Sequence, residues 1–165
     1  MAKFTAGLPT DILKDVSFLE KNALDIFKGM TKAGAKVAAE NMKVGATRAF
    51  KGDTAVKINS KLRVTRSYET RKKEITTKAA YYGYLPKKDG GKVKVKGGFY
   101  PGVPVPLLCN LVEYGTSSAI MPKQFKKYWD GQKRPFARPA FSDTGGITAA
   151  MLKAQKELSG GLLEQ

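Results

Sequence analysis

The chain has 165 residues, enough for one domain with a modest core, and 42% of them are apolar, which excludes a chain disordered by composition. Thirty Lys and Arg stand against 14 Asp and Glu, a formal charge of +16 that speaks to partners and solubility and not to fold. The absence of histidine and the single cysteine, Cys109, remove the commonest general base, an intrachain disulfide and a cysteine-built zinc site.

Residues 10–44 are predicted to form one long helix. Thr10 is placed as N-cap, with Pro9 just outside and Asp11 in the first turn. Ile12, Val16, Leu19, Ala23, Ile26, Phe27, Met30, Ala33 and Val37 recur at spacings of three and four and draw one apolar stripe. At 1.5 Å per residue such a helix is roughly 50 Å long, so part of its stripe is expected to pack on a neighbouring subunit. Gly29 and Gly34 weaken its middle and suggest a bend. Residues 45–61 read as a loop with a helical turn around Ala55–Ile58.

The apolar period then changes to two. Leu62, Val64 and Tyr68 alternate with polar neighbours, as do Ile75, Thr77, Ala79 and Tyr81, so two strands are expected, joined near Thr70–Lys72. The segment 85–98 is rich in glycine and lysine: Lys87, Lys88, Lys92, Lys94 and Lys96 surround Val93 and Val95. It reads either as an edge strand of an exposed hairpin, guarded by its lysines, or as an arm that orders on a partner. Pro101, Pro104 and Pro106 keep the next stretch extended. A short helix follows over Pro106–Glu113, ended by Gly115. Residues 117–134 form a loop in which Lys126, Lys127 and Trp129 mix cations with aromatics. Such a mixture can stack on bases, but the favoured reading is that the aromatics pin the loop to the core or form an interface. Residues 138–158 are predicted as a closing helix flawed at Gly145-Gly146.

Basic charge is concentrated in the middle, with seventeen basic and five acidic side chains over residues 61–134. A polyanion or an acidic partner protein is the natural complement of that stretch, against a merely solvated surface. No run approaches the roughly 20 apolar residues that cross a membrane, and no secretory signal is seen, so folding in a cytoplasm is expected. No phosphate-cradling glycine motif and no working pair of acids appears, so neither an enzyme nor a cofactor, metal or small-molecule substrate is expected. With no internal repeat and no linker, residues 1–165 read as a single domain.

Two short segments stand out: Glu113-Tyr114-Gly115-Thr116 within Val112–Thr116, and Pro135-Phe136-Ala137-Arg138-Pro139-Ala140. Gly115 permits a tight reversal, Thr116 can bond local backbone groups, and Pro139 suits the first turn of a helix. Phe136 is an anchor for the core or for a neighbour. Arg138 is expected to pair with Glu113 and make the segments one unit.

In this order, about twenty residues apart, the two segments resemble the tail-completion, or head–tail joining, family of tailed bacteriophages. There a Glu-aromatic-Gly-Thr turn precedes a Pro-Phe-x-Arg-Pro-Ala segment leading into the last helix. The order of elements matches over most of the chain; the residues match only at Glu113–Thr116 and Pro135–Ala140. Where that family often has a Tyr-Ala pair, this chain has Leu108-Cys109, so Cys109 reads as a small buried residue and not a nucleophile. The lysine-rich 85–98 segment is a local elaboration.

The resemblance implies an α+β fold, with a long N-terminal helix and a C-terminal helix packed on a small, mainly antiparallel sheet. It implies a non-enzymatic virion protein of the neck, assembled in the bacterial host cytoplasm as a homo-oligomeric ring, six-fold by expectation. Its partners would be the connector, tail-tube or terminator proteins, with the basic middle facing packaged DNA or an acidic ring. Two other readings compete: a tail terminator or other tail ring component, and a free nucleic-acid-binding protein using the lysine-rich arm.

Overall fold

The computed structural model describes residues 10–50, 52–86, 92–95, 98–116 and 125–162. Helix α1 runs over Thr10–Ala49, 40 residues and so about 60 Å. It is five residues longer than the sequence pattern suggests, because Gly45 does not stop it. An added Cβ at Gly45 would lie 2.9 Å from the Phe136 Cβ and 3.0 Å from its carbonyl oxygen, so glycine there serves a close approach. The same holds for Gly29 and Gly34, where Leu158 and Met151 press on the helix. These glycines admit a neighbouring helix within one continuous α1 and do not mark its end. The side chains of Thr10 and Asp11, and with them the expected cap, lie outside the described residues.

The turn expected around Ala55–Ile58 is helix α2, Asp53–Asn59, which buries Ala55 and Ile58. The two expected strands form one interrupted hairpin: β1 (Leu62–Val64) pairs with β4 (Ala79–Tyr81), and β2 (Tyr68–Glu69) with β3 (Ile75–Thr76), all antiparallel. Leu62 faces Tyr81 while Tyr68 faces Thr76, so the register slips by one residue between the ladders. A second hairpin is nested in the same way. Its base pairs β5 (Tyr84–Pro86) with β8 (Gly102–Pro104); its outer part pairs β6 (Val93–Val95) with β7 (Gly98–Tyr100). Where it is described, the lysine-rich segment is hairpin strand: the end of β5, β6 at Val93–Val95 and the start of β7.

Helix α3 covers Val105–Tyr114, with Pro106 in its first turn. The closing helix is two helices, α4 (Ala137–Ser142) and α5 (Thr144–Leu158). The break falls at Asp143, ahead of the suspected glycines, because Asp143 Oδ1 accepts the Gly146 N–H at 3.1 Å and caps α5. Its other oxygen accepts from Asn41 Nδ2 at 3.0 Å, which fixes the break against α1.

The fold is α+β: a long N-terminal and a C-terminal helix with small antiparallel ladders of two strands each. One core joins α1 from Ala39 to Ala49, Phe50 just after it, α2, the bases of both hairpins, α3, and the segment from Phe125 to Ala140. Phe136 is its aromatic hub, edge-on to Phe50 at 5.8 Å and to Tyr81 at 5.9 Å between ring centroids. Among the described residues no helix is long and apolar enough to cross a membrane.

Candidate functional site

Glu113 sits in the last turn of α3, only 5% exposed. Its carboxylate lies at the start of α4. Oε2 accepts the backbone N–H groups of Phe136 and Ala137, each at 2.8 Å, and Oε1 accepts that of Arg138 at 3.0 Å. Phe136 occupies the N-cap position of α4 and its own side chain has nothing to cap with. A helix start leaves four backbone positions without a partner inside the helix. Here three of them donate to Glu113, and the fourth is Pro139, which has no N–H to satisfy. The Glu and the Pro-Phe-x-Arg-Pro-Ala segment are therefore one structural device: a cap supplied from 23 residues away in the chain.

This corrects the expected Glu113–Arg138 ion pair in one respect. The two residues do meet, but through the Arg138 main chain. The Arg138 guanidinium lies over the Tyr114 ring at 5.3 Å from its centroid, and its charge adds a longer-range attraction to Glu113. Burial by itself raises the Glu113 pKa, but the three backbone donors and the Arg138 charge outweigh it and hold the carboxyl below its usual range. Gly115 turns the chain away with φ of 79° and donates its N–H to Leu111 at 2.7 Å, and Thr116 follows it half-buried. Behind it Arg134 donates its N–H to Val112 O at 2.8 Å and its guanidinium to Ala49 O at 3.1 Å, and pairs with Asp130. The loop before Pro135 is thereby tied to both α1 and α3.

Cys109 lies one turn before Glu113 and is 8% exposed. Burial, reinforced by the Glu113 charge, pushes its thiol up to about 12, so it stays protonated and unreactive. Native protein is expected to resist a maleimide reagent, and to take up one equivalent once denaturant is added. Rapid labelling of the folded chain would show this packing to be wrong.

The residues proposed for partner contact divide. Trp129 is 3% exposed, with its indole donating to Gln132 O at 2.6 Å. Its ring packs in the core beside Phe125 and cannot receive a base, so for this residue the alternative, an anchor for the loop, is what is found. Lys126 and Lys127 are exposed on the turn between them, with Lys127 Nζ 5.7 Å from the Tyr128 ring centroid. Lys92, just before β6, and Lys94, on it, are exposed, and Lys94 lies over Phe99 at 5.8 Å. Lys87, Lys88 and Lys96 lie outside the described residues. Among the described residues, Lys92, Lys94, Lys126 and Lys127 make no contact with Glu113 and the start of α4, and that capping clip is a structural unit apart from them. An open groove of about 450 Å³ runs beside it, lined by Asn41, Val44, Arg48, Arg134, Pro135 and Pro139.

Two further features were not singled out in the sequence: the Arg138–Tyr114 stack and the outward face of the first hairpin. The first could have been found from the aromatic beside Glu113, and the second from the alternation of cations over residues 61–66. Comparison with protein-family models, with curated proteins and with solved structures finds no match.

Proposed function

We propose that this chain is a structural protein of the neck of a tailed bacteriophage, one subunit of a ring that joins the tail to the DNA-filled head. One observation carries the reading. The two segments that resemble the tail-completion family, far apart in the chain, meet as a single capping device, Glu113 accepting from the N–H groups of Phe136, Ala137 and Arg138 with Pro139 at the remaining position.

The reading makes the function geometric, without turnover. The ring would be homo-oligomeric, with a hexamer as the expected closed form. Connector proteins on the head side and tube or terminator proteins on the tail side would be its neighbours, and packaged DNA would run through it. The bare apolar side chains of the first turns of α1 are available for contact between subunits.

Locating the chain in an assembled particle tests this directly. A density map of the virion, with the chain carrying a small fused tag, is expected to show the tag as a ring at the head–tail junction. Particles made without the chain are expected to be filled heads and free tails. A virion that lacks the chain altogether, from a host lysate that contains it, would overturn the proposal.

A further inference from the structure

We infer that the outward face of the hairpin spanning residues 61–82 is a nucleic-acid surface, recognising phosphates with its cations and bases with its tyrosines. This goes beyond the neck reading and does not depend on it. The register places the residues. Leu62 faces Tyr81 and Val64 faces Ala79 on the core side, so Arg63, opposite Ala80, points the other way. On either side of that pair, Tyr82 donates its N–H to Lys61 O at 3.0 Å, and Thr65 donates its own to Lys78 O at 2.8 Å. Alternation therefore sets Lys61, Arg63, Lys78 and Tyr82 on one outward face.

The face continues toward the hairpin tip. Lys78 Nζ lies over the Tyr68 ring, 5.5 Å from its centroid, bridging the one-residue slip between the ladders. The tip holds Arg71, Lys72 and Lys73, all exposed. It is a built turn: Thr70 donates its N–H to Glu74 O at 2.8 Å, Lys73 donates to Thr70 O at 2.9 Å, and Lys73 takes φ of 61°. Over residues 61–82 seven basic side chains stand against two acidic ones. From Lys61 to the tip is about ten residues, roughly 33 Å if extended, room for several nucleotides of a single strand.

Charge alone would suit an acidic protein equally well. The tyrosines decide between the two. Tyr68 and Tyr82 are 39% and 44% exposed, set among cations on an open strand face. An exposed aromatic face is negative and repels carboxylates, whereas any base can stack on it. Cations and stacking surfaces interleaved along one groove or strand are what a single strand needs from a protein that does not read sequence.

The test is fluorescence anisotropy of a labelled 30-nucleotide single strand against the full chain at about 0.15 M salt. Wild type is expected to bind. Arg63→Gln with Lys78→Gln is expected to weaken binding at least fivefold and to lower the slope of log affinity against log salt by about 1.4, from two lost phosphate contacts. Tyr68→Ala with Tyr82→Ala is expected to weaken it at least about thirtyfold, with little change in that slope. Lys36→Gln with Lys153→Gln, exposed cations on α1 and α5, is the charge-matched control and should change little. Melting curves establish that each variant is folded. Three results would each overturn the inference: no binding by wild type, equal competition by polyglutamate, or a larger loss from Lys92→Gln with Lys94→Gln. A chain found in the neck but silent toward DNA would sink this inference alone. A chain that binds DNA but has no place in the virion would sink the neck reading alone.

Discussion

Glu113→Gln is expected to destabilise the fold by about 2–4 kcal/mol, and Glu113→Ala by more, measured by urea or thermal unfolding. Glutamine keeps the shape but offers one acceptor oxygen where the carboxylate has two. Its amide N–H₂ must then face at least one of the three backbone donors now bound. The site is buried, so water does not readily replace the lost partner. Each charge-assisted bond to a buried donor contributes about 1.5–3 kcal/mol, and an orphaned N–H costs about 1–3 kcal/mol. In a chain of this length 3 kcal/mol corresponds to a fall in Tm of about 6–12 °C. An unchanged melting curve for Glu113→Ala would show that the cap does not hold α4.

The same residue sets a pH dependence. Its folded pKa lies below the unfolded value of about 4.3. The stabilisation is therefore complete above about pH 4.3 and is lost as pH falls through the lower, folded value. Wild type should lose its advantage over Glu113→Gln on acidification, the two unfolding free energies converging below pH 4. A gap that stayed constant down to pH 3 would mean that the carboxylate charge is not what binds the three donors.

The clip also shows what a single sequence can and cannot disclose here. Both of its halves were visible as patterns, and so was the need to join them. The partner atoms were not, because a Glu and an Arg in paired motifs suggest an ion pair between side chains. The clue was Pro139, a residue without an N–H at the one helix-start position that Glu113 does not reach. Elsewhere local periodicity was enough for α1, α3 and the strands at 62–64 and 79–81. It failed where a contact distant in sequence decides. Gly45 looks like a helix end until Phe136 is seen pressed against it. Asp143 looks like an ordinary helical position until its carboxylate is seen shared between Gly146 and Asn41. At Trp129 the sequence leaves stacking and anchoring both open while favouring the anchor, and its burial in the core decides for the anchor.

Val16→Glu with Phe27→Glu is expected to abolish self-association of the chain without lowering its Tm. The apolar stripe of α1 keeps a strict four–three spacing through Ile12, Val16, Leu19, Ala23, Ile26, Met30, Ala33 and Val37, the seam of a helix that pairs with another helix. Helix α5 fills the later part of that seam, with Ile147 and Met151 at Gly34 and Leu158 at Gly29. The seam then continues toward Ile12 past the last of those contacts. There Ile12 and Val16 on the seam, with Leu13 and Phe27 beside it, are 47–56% exposed. Covering the exposed halves of four such side chains is worth about 3–6 kcal/mol per arm before the cost of association is subtracted.

Electrostatics favours a second copy as what covers them. Residues 10–28 carry three basic and four acidic side chains, whereas the chain as a whole carries +16. This arm is the place where another copy approaches with attraction from the basic body and without like-charge repulsion. Sedimentation at increasing protein concentration should show wild type as an oligomer and the double variant as a monomer at concentrations at least tenfold higher. Because both positions are exposed, the charges meet water in the monomer and leave its fold alone; they are desolvated only when a neighbour's apolar surface closes over them. A wild type that stays monomeric at tens of micromolar, or a variant that assembles equally well, would place the subunit contacts elsewhere.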